Sequence, residues 1–385
     1  MVRTILSALK FWLTKQWVRL VIKKKQLFTK TYSTRNCVKK ILIVRLDEIG
    51  DMVLTTPFLR ELRRNYPKAE ITLVVKPAVY NLVELCPYVD IIKKFSKVNG
   101  RWAVFQNINL AKKFVYNELE QDYDLAIVPR FDSDLDYMAG AIAFYTGASR
   151  RIGYAPWVLP RKSKSDAGLE GFYTDFVPAR KGVCHEVERN LDILRYLGCG
   201  IENTSLELWI DKHDKQVAKK LLSTRGGQRL LVLILSAGVK HKEWPIENYI
   251  SMVDFFRQEN VLPILLGAGE NTREYADEFC NACPETIDLV GKCSLRETYA
   301  VMKQCEIFLG GDTGPMHMAA ASGIAGTTMF FTHWKPEYID TPERFGPWGG
   351  NVQVIQPHIS NENINNEHIN VCDVVECLGK CISAS

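Results

Sequence analysis

Three short stretches of this 385-residue chain place reactive side chains beside glycines, each directly after an apolar run. The first is Arg45-Leu46-Asp47-Glu48-Ile49-Gly50-Asp51, behind Ile41-Leu42-Ile43-Val44. A carboxylate at Asp51 can take a proton from a hydroxyl, and an Asp at the mouth of a helix also serves as a cap; the residues alone leave both open. Asp47 is a reserve base, and if it shared a pocket with Asp51 their repulsion would raise one pKa. No Gly-Lys-Ser/Thr follows and Gly50 stands alone, so this is neither a P-loop nor a dinucleotide fingerprint. The second stretch, Ser236-Ala237-Gly238-Val239-Lys240-His241-Lys242-Glu243-Trp244-Pro245, carries two lysines able to neutralise a diphosphate or to sit in a solvated loop. In the third, Gly310-Gly311-Asp312-Thr313-Gly314-Pro315, the glycines free backbone N–H groups and Pro315 suits a first helical turn whose dipole attracts phosphate. Asp312 has the wrong sign for phosphate; it would cap that helix or orient Thr313.

These stretches need strands to carry them and helices to follow. Ile41–Val44, Ile71–Val75 and Leu125–Val128 are β-branched or apolar runs suited to strands buried on both faces, and Phe58, Leu59 and Leu62 after Pro57 have helical spacing. The alternation restarts after residue 205. Strands are expected at Leu230–Leu235, Pro263–Leu266 and Glu306–Leu309, and helices at Ile246–Glu259, Glu270–Cys280 and Pro315–Ala321. The fold class is α/β, in two doubly wound halves whose boundary falls near residues 200–212, where Gly198, Gly200 and Asn203 precede a charged segment. Ligands of such sheets bind beyond the carboxyl ends of the strands, so two facing halves define one interdomain cleft.

Composition fits a folded globular protein, with 46% apolar and 24% charged residues. The net charge of +5 is unevenly spread: residues 1–40 hold eleven Lys or Arg and no acid, leaving 38 basic against 44 acidic side chains, a balance of −6, elsewhere. That distribution argues against a nucleic-acid binder and for an arm that meets anionic lipid. As a helix, Leu6, Leu9, Leu13, Trp17 and Leu20 share one face and Lys15, Arg19 and Lys23 the other, while Lys10, Lys15 and Arg19 interrupt any spanning run. A presequence or a helix docked on the protein itself would look similar. The odd number of cysteines, 11, without an even framework points to a reducing cytosolic compartment. Cys280 and Cys283 have redox-pair spacing at the wrong end of a helix, and Cys372, Cys377 and Cys381 with His358 or His368 lack the tight spacing of a zinc site; idle thiols are the simpler account.

Gly50-Asp51 with Pro57, Lys242-Glu243-Trp244-Pro245, and Gly311 through Ala321 together resemble glycosyltransferase family 9, the lipopolysaccharide heptosyltransferases. Arg151-Ile152-Gly153-Tyr154, His185 through Leu191 and Gly291 through Glu297 add to the match, which runs in order from residue 39 to about 345. The resemblance implies a GT-B architecture, two Rossmann-like domains facing a cleft, and inverting transfer of a sugar from a nucleotide diphosphate sugar, with no essential metal and no cofactor. It implies Asp51 as general base and a donor site comprising Ser236, Gly238, Lys242, Glu270, Asp312, Thr313, Gly314 and His317; Glu274 competes with Glu270 for a ribose contact. Arg60, Arg63, Arg64 and Arg130 are expected to bind an anionic acceptor, unless they form a solvated face. The domains expected are a basic extension at 1–39, an acceptor-binding domain with the base at 40–205, a nucleotide-sugar domain at 206–350 and a tail at 351–385.

The partners implied are a nucleotide sugar, ADP-heptose above others, a lipid-linked oligosaccharide and an anionic membrane surface, with no nucleic acid. The place implied is the cytoplasmic face of a bacterial inner membrane. Two other functions compete: a GT-B transferase with a different nucleotide sugar, and a catalytically silent glycan-binding protein at the membrane. A base together with a diphosphate clamp argues against the last.

Overall fold

The computed structural model describes residues 16, 19–20, 38–98, 103–119, 122–134, 137–166, 168, 170–223, 226–329, 333–335, 338–349, 351–357 and 369–384. Of the expected apolar face in the N-terminal arm only Leu20 is among them, and it is exposed; Leu6, Leu9, Leu13 and Trp17 lie outside the described residues, as do Cys37, His358, His368 and most of the Asn-rich stretch.

The apolar runs form strands, as their fully buried side chains require. The first sheet contains β1 (Lys40–Arg45), β2 (Glu70–Val75), β3 (Ile91–Lys94), β4 (Leu125–Ile127), β5 (Arg150–Tyr154) and β6 (Asp175–Val177), all parallel, in the order β3-β2-β1-β4-β5-β6. The second repeats this pattern with β7 (Arg229–Ile234), β8 (Val261–Leu265), β9 (Ile287–Asp288), β10 (Ile307–Gly311) and β11 (Ala325–Met329). A small antiparallel pair, β12 (His333–Lys335) and β13 (Tyr338–Asp340), stands apart, and β14 (Val352–Ile355) completes the order β14-β11-β10-β7-β8-β9. In each sheet the strand order reverses once, between β1 and β4 and between β7 and β10. A crevice opens at the carboxyl ends there, where a doubly wound sheet accepts ligands. Those four strand ends carry the Arg45–Asp51, Arg130–Ser133, Ser236–Lys242 and Asp312–Gly314 segments.

Helices cover both faces of each sheet. Helices Ala103–Glu118 and Met138–Tyr145 close the outer face of the first, and Glu270–Ala282 packs on the outer face of the second. The inner faces merge into one apolar core that runs from Val53, Leu54 and Phe58 of the first domain to Met316, Met318 and Ala319 of the second. The expected helix Ile246–Glu259 is instead two short ones, Ile246–Ser251 and Val253–Gln258, joined at Met252.

The C-terminal stretch is not a tail. β14 pairs with β11, and helix Val371–Ala384 buries Val374, Leu378 and Ile382, three residues at helical spacing, against the second sheet. The Trp244 indole N–H donates to Ile369 O at 3.0 Å, and Arg229 Nη1 to Ile382 O at 2.6 Å, so this helix belongs to the second domain. It also explains its cysteines: Cys381 is buried and Cys372 exposed on one helix.

Residues 197–211 link the domains, and here three arginines find partners. Arg60 Nη1 meets Glu207 Oε2 at 2.8 Å and its Nη2 donates to the carbonyls of Asn203 and Ser205. Arg64 binds Glu61, Glu202 and Gly200 O, and Arg63 binds Asp90 and the carbonyls of Ala69 and Tyr88. The acceptor role expected of Arg60, Arg63 and Arg64 is therefore not supported by their placement: Arg60 and Arg64 hold the linker, and Arg63 the β2–β3 edge, to helix Thr56–Asn65, and none of the three is among the residues that line the cleft.

Candidate active site

The cleft between the two sheets has a volume of about 430 Å³. From the first domain Asp51, Arg130 and Asp132 line it, and from the second Gly238, Lys242, Asp312, Thr313, Gly314 and His317. Asp51, Arg130 and six of the eight expected donor residues thus come together, although about 185 positions separate Asp51 from Gly238 along the chain.

Asp51 lies at the third position of the short helix Ile49–Val53, right after β1. Its Oδ2 accepts the Glu48 N–H at 3.2 Å, closing the turn, while Oδ1 faces Arg45 Nη2 at 3.8 Å. Capping and exposure to the cleft are both satisfied, since the side chain keeps 31% of its surface. Burial by the cleft walls raises the Asp51 pKa; Arg45 and the Glu48 N–H oppose that, and the charges of Asp132 and Glu48 add to it. The neighbouring carboxylate that matters is Asp132, not the expected Asp47. Asp47 is 7% exposed and paired with Arg45 at 3.0 Å and with Arg130, which removes it from the reserve-base role.

Opposite Asp51, the strand β10 runs into helix Gly314–Ser322 with Thr313 as its N-cap and Pro315 in the first turn. The carboxylate of Asp312 takes the ammonium of Lys242, bringing the cation to the helix N-terminus. The rest of that lysine's motif is scaffolding. Glu243 accepts from Ala237 N at 3.3 Å and from the Tyr275 hydroxyl at 3.0 Å, and Trp244 is buried beneath the loop. Lys242 is thereby aimed from a fixed base, the condition for a preorganised charge.

The two helix mouths touch. A Cβ at Gly50 would lie 2.7 Å from His317 Cδ2, and one at Gly314 would lie 2.9 Å from Ile49 Cβ, so glycine at both positions is what lets the Asp51 turn and the Thr313 turn meet. His317 is 5% exposed, its Nδ1 has no hydrogen-bond partner among the described residues, and burial, assisted by His185 and Lys242, lowers its pKa to about 3. It is a neutral imidazole at physiological pH.

Ser236 and Glu270 stand outside the cleft lining. Ser236 Oγ pairs with Thr272 Oγ1 at 2.6 Å, and Glu270 opens helix Glu270–Ala282 on the surface, as does Glu274 one turn on. Conversely, Arg45, Asp132, Arg161, Glu186 and Arg344 line the cleft without having been singled out. Arg45 had a signal, being a cation that ends an otherwise apolar strand; the other four depend on segments that only the fold brings here. Among the described residues no group of three or more His, Cys, Asp or Glu is placed to hold a metal ion. Cys280 is partly buried, and the buried Cys283 has its thiol pKa raised by desolvation, the opposite of an activated redox thiol.

Two Rossmann-like domains with their switch points facing one cleft make a GT-B architecture. The sequence model of glycosyltransferase family 9 (heptosyltransferase) matches residues 115–370, well over half of the chain, and the chain belongs to that family. Lipopolysaccharide heptosyltransferase 3 of Escherichia coli K12 is 24% identical over 314 residues, covering 79% of this chain and 86% of that protein. Among solved structures, a family 9 glycosyltransferase from Veillonella parvula superimposes with a TM-score of 0.72 at 20% identity, covering 90% of this chain and 98% of that one. The E. coli ADP-heptose lipopolysaccharide heptosyltransferase II gives 0.69 at 18% identity, covering 90% and 99%. Family membership makes this chain an enzyme, a glycosyltransferase, and sets aside the silent binding protein.

Proposed function

We propose that the enzyme transfers heptose from ADP-heptose, with inversion and without an essential metal, to a lipopolysaccharide core or related lipid-linked glycan. The observation that carries this reading is a half-exposed carboxylate and a fixed cation on opposite walls of the cleft: Asp51 on the first domain, Lys242 at a helix N-terminus on the second. In the transfer, Asp51 removes the proton of the acceptor hydroxyl as its oxygen attacks the anomeric carbon and the bond to the diphosphate oxygen breaks. The departing diphosphate gains charge, which Lys242 and the backbone N–H groups at the Thr313–Gly314 turn meet. Arg130, at the mouth on the first-domain side, suits an acidic acceptor. Two of the similar proteins above are heptosyltransferases, which favours heptose as the sugar.

The diphosphate clamp does not itself distinguish sugars or bases. Binding measured against ADP-, UDP-, GDP- and CDP-sugars is expected to favour ADP-heptose; tighter binding of a UDP- or GDP-sugar would move the enzyme to another donor within the same mechanism.

Among the described residues no helix is long and apolar enough to cross a membrane. The proposal for the arm is that residues 1–40 hold the enzyme at the anionic cytoplasmic face, raising the local concentration of a lipid-anchored acceptor. Removing the arm should release the protein from anionic vesicles and lower activity on lipid-linked acceptor while sparing a soluble fragment. Equal sedimentation of full-length and truncated protein would leave the arm with no membrane role.

A further inference from the structure

A second set of charges lines the cleft and takes no part in the steps above. The segment from Thr341 to Trp348 leaves the second domain and lies against the first. His185 Nε2 meets Gly346 O at 3.0 Å, Trp348 Nε1 donates to Thr204 O at 2.8 Å, and the His185 and Trp348 rings sit 4.6 Å apart. Between these anchors Arg344, 1% exposed, donates from Nε to Glu186 Oε1 at 2.6 Å and from Nη2 to Asp132 Oδ2 at 2.5 Å. Both carboxylates and the guanidinium border the same cleft as Asp51.

Several charged groups surround Asp51. Its own turn contributes Glu48, and the end of β1 contributes Arg45 and Asp47. The segment after β4 brings Arg130 and Asp132, with Arg161 and Glu186 behind them. From the second domain come Lys242, Asp312, the neutral His317 and Arg344. Most are matched within their own domain: Asp47 by Arg45 and Arg130, and Asp312 by Lys242. Asp132 and Glu186 also have first-domain cations near them, Arg189 against Glu186 at 3.5 Å and Arg130 and Arg189 acting on Asp132, but the guanidinium that hydrogen-bonds both carboxylates arrives on a strap from the other domain.

We propose that Arg344 is a positioning residue for the transfer: by bridging Asp132 and Glu186 it neutralises the carboxylates behind Asp51, so that Asp51 is the one left to receive the acceptor proton. The inference rests on the assignment of Asp51 as base. Asp132 works against that role, since its negative charge disfavours ionisation of Asp51. Burial alone would raise Asp132 too, but the charge and hydrogen bond of Arg344, followed by the charges of Arg130 and Arg189, outweigh it and hold Asp132 below the ordinary carboxylate value. Docking of the second domain thus adds a single guanidinium that hydrogen-bonds Asp132 and Glu186 at once.

The test is the pH dependence of kcat/KM. Arg344→Met should move the acidic limb upward by about one pH unit, and Arg344→Lys, which keeps the charge, should leave it close to the wild-type position. Adding Asp132→Asn to Arg344→Met should bring the limb back, an effect that loss of packing alone would not produce. If Arg344→Met does not fold, Asp132→Asn with Arg344 retained should shift the limb downward. An unmoved limb in Arg344→Met or in Asp132→Asn, or a double variant that stays displaced, overturns the proposal. Asp51→Asn separates it from the assignment beneath: a limb that survives this substitution shows that another group is the base, whatever Arg344 does.

Discussion

Asp51→Asn is expected to lower kcat by about 10²–10⁴-fold while leaving affinity for the donor within about tenfold. The amide keeps the shape of the carboxylate but has no basic lone pair for the acceptor proton. It also keeps an oxygen for the Glu48 N–H, so the turn that places residue 51 survives. Donor contacts lie on the opposite wall, which is why binding and turnover separate. The wild-type acidic limb should fall above 3.8, the ordinary value, because burial and the charge of Asp132 raise this carboxyl. The sign follows from the base role: activity is present above that pKa and is lost as pH falls through it. Rapid-mix turnover assays with titration calorimetry for the donor check both halves, and unchanged turnover would take the base role from Asp51.

Lys242→Ala should weaken binding of the nucleoside diphosphate by about ten- to a hundredfold and slow its departure as well, since one charge serves the bound and the departing anion. The substitution does more than remove a cation. Asp312 is 9% exposed and pairs with Lys242, so the variant leaves an anion at the helix N-terminus that the diphosphate must approach. Adding Asp312→Asn to Lys242→Ala should therefore recover part of the lost affinity. Calorimetric titration with ADP measures each step, and equal affinity for wild type and Lys242→Ala would reject the clamp.

How far the sequence reaches is best seen where two similar signals had different outcomes. Asp51 and Lys242 were both legible because each follows a buried strand directly and stands beside a glycine or within a short loop; a strand end has few directions in which to point. Arg60, Arg63 and Arg64 carried as strong a charge signal, yet they face Glu207, Asp90 and Glu202. A helix periodicity assigns a face to such residues but not what covers that face: for Arg60 and Arg64 the cover is a linker some 140 positions away, and for Arg63 the β2–β3 edge. Ser236 was a close miss of another kind: it sits in the right loop, but its hydroxyl is taken by Thr272.

The sequence by itself determined the two doubly wound halves, the strand ends that carry chemistry, and the glycines at 50 and 314, because buried strands and helix mouths are local patterns with local causes. It also carried the ordered motifs of family 9. Only the tertiary structure decided that Gly50 and Gly314 meet each other rather than a ligand alone, that the last helix completes the second domain, and that Asp132 and Arg344 share a site. These are pairings between segments more than a hundred positions apart, and a charge or a small residue in the chain bears no mark of which distant partner will neutralise or contact it. That choice is made when the two sheets close on a common core and bring the strap with Arg344 onto the first domain.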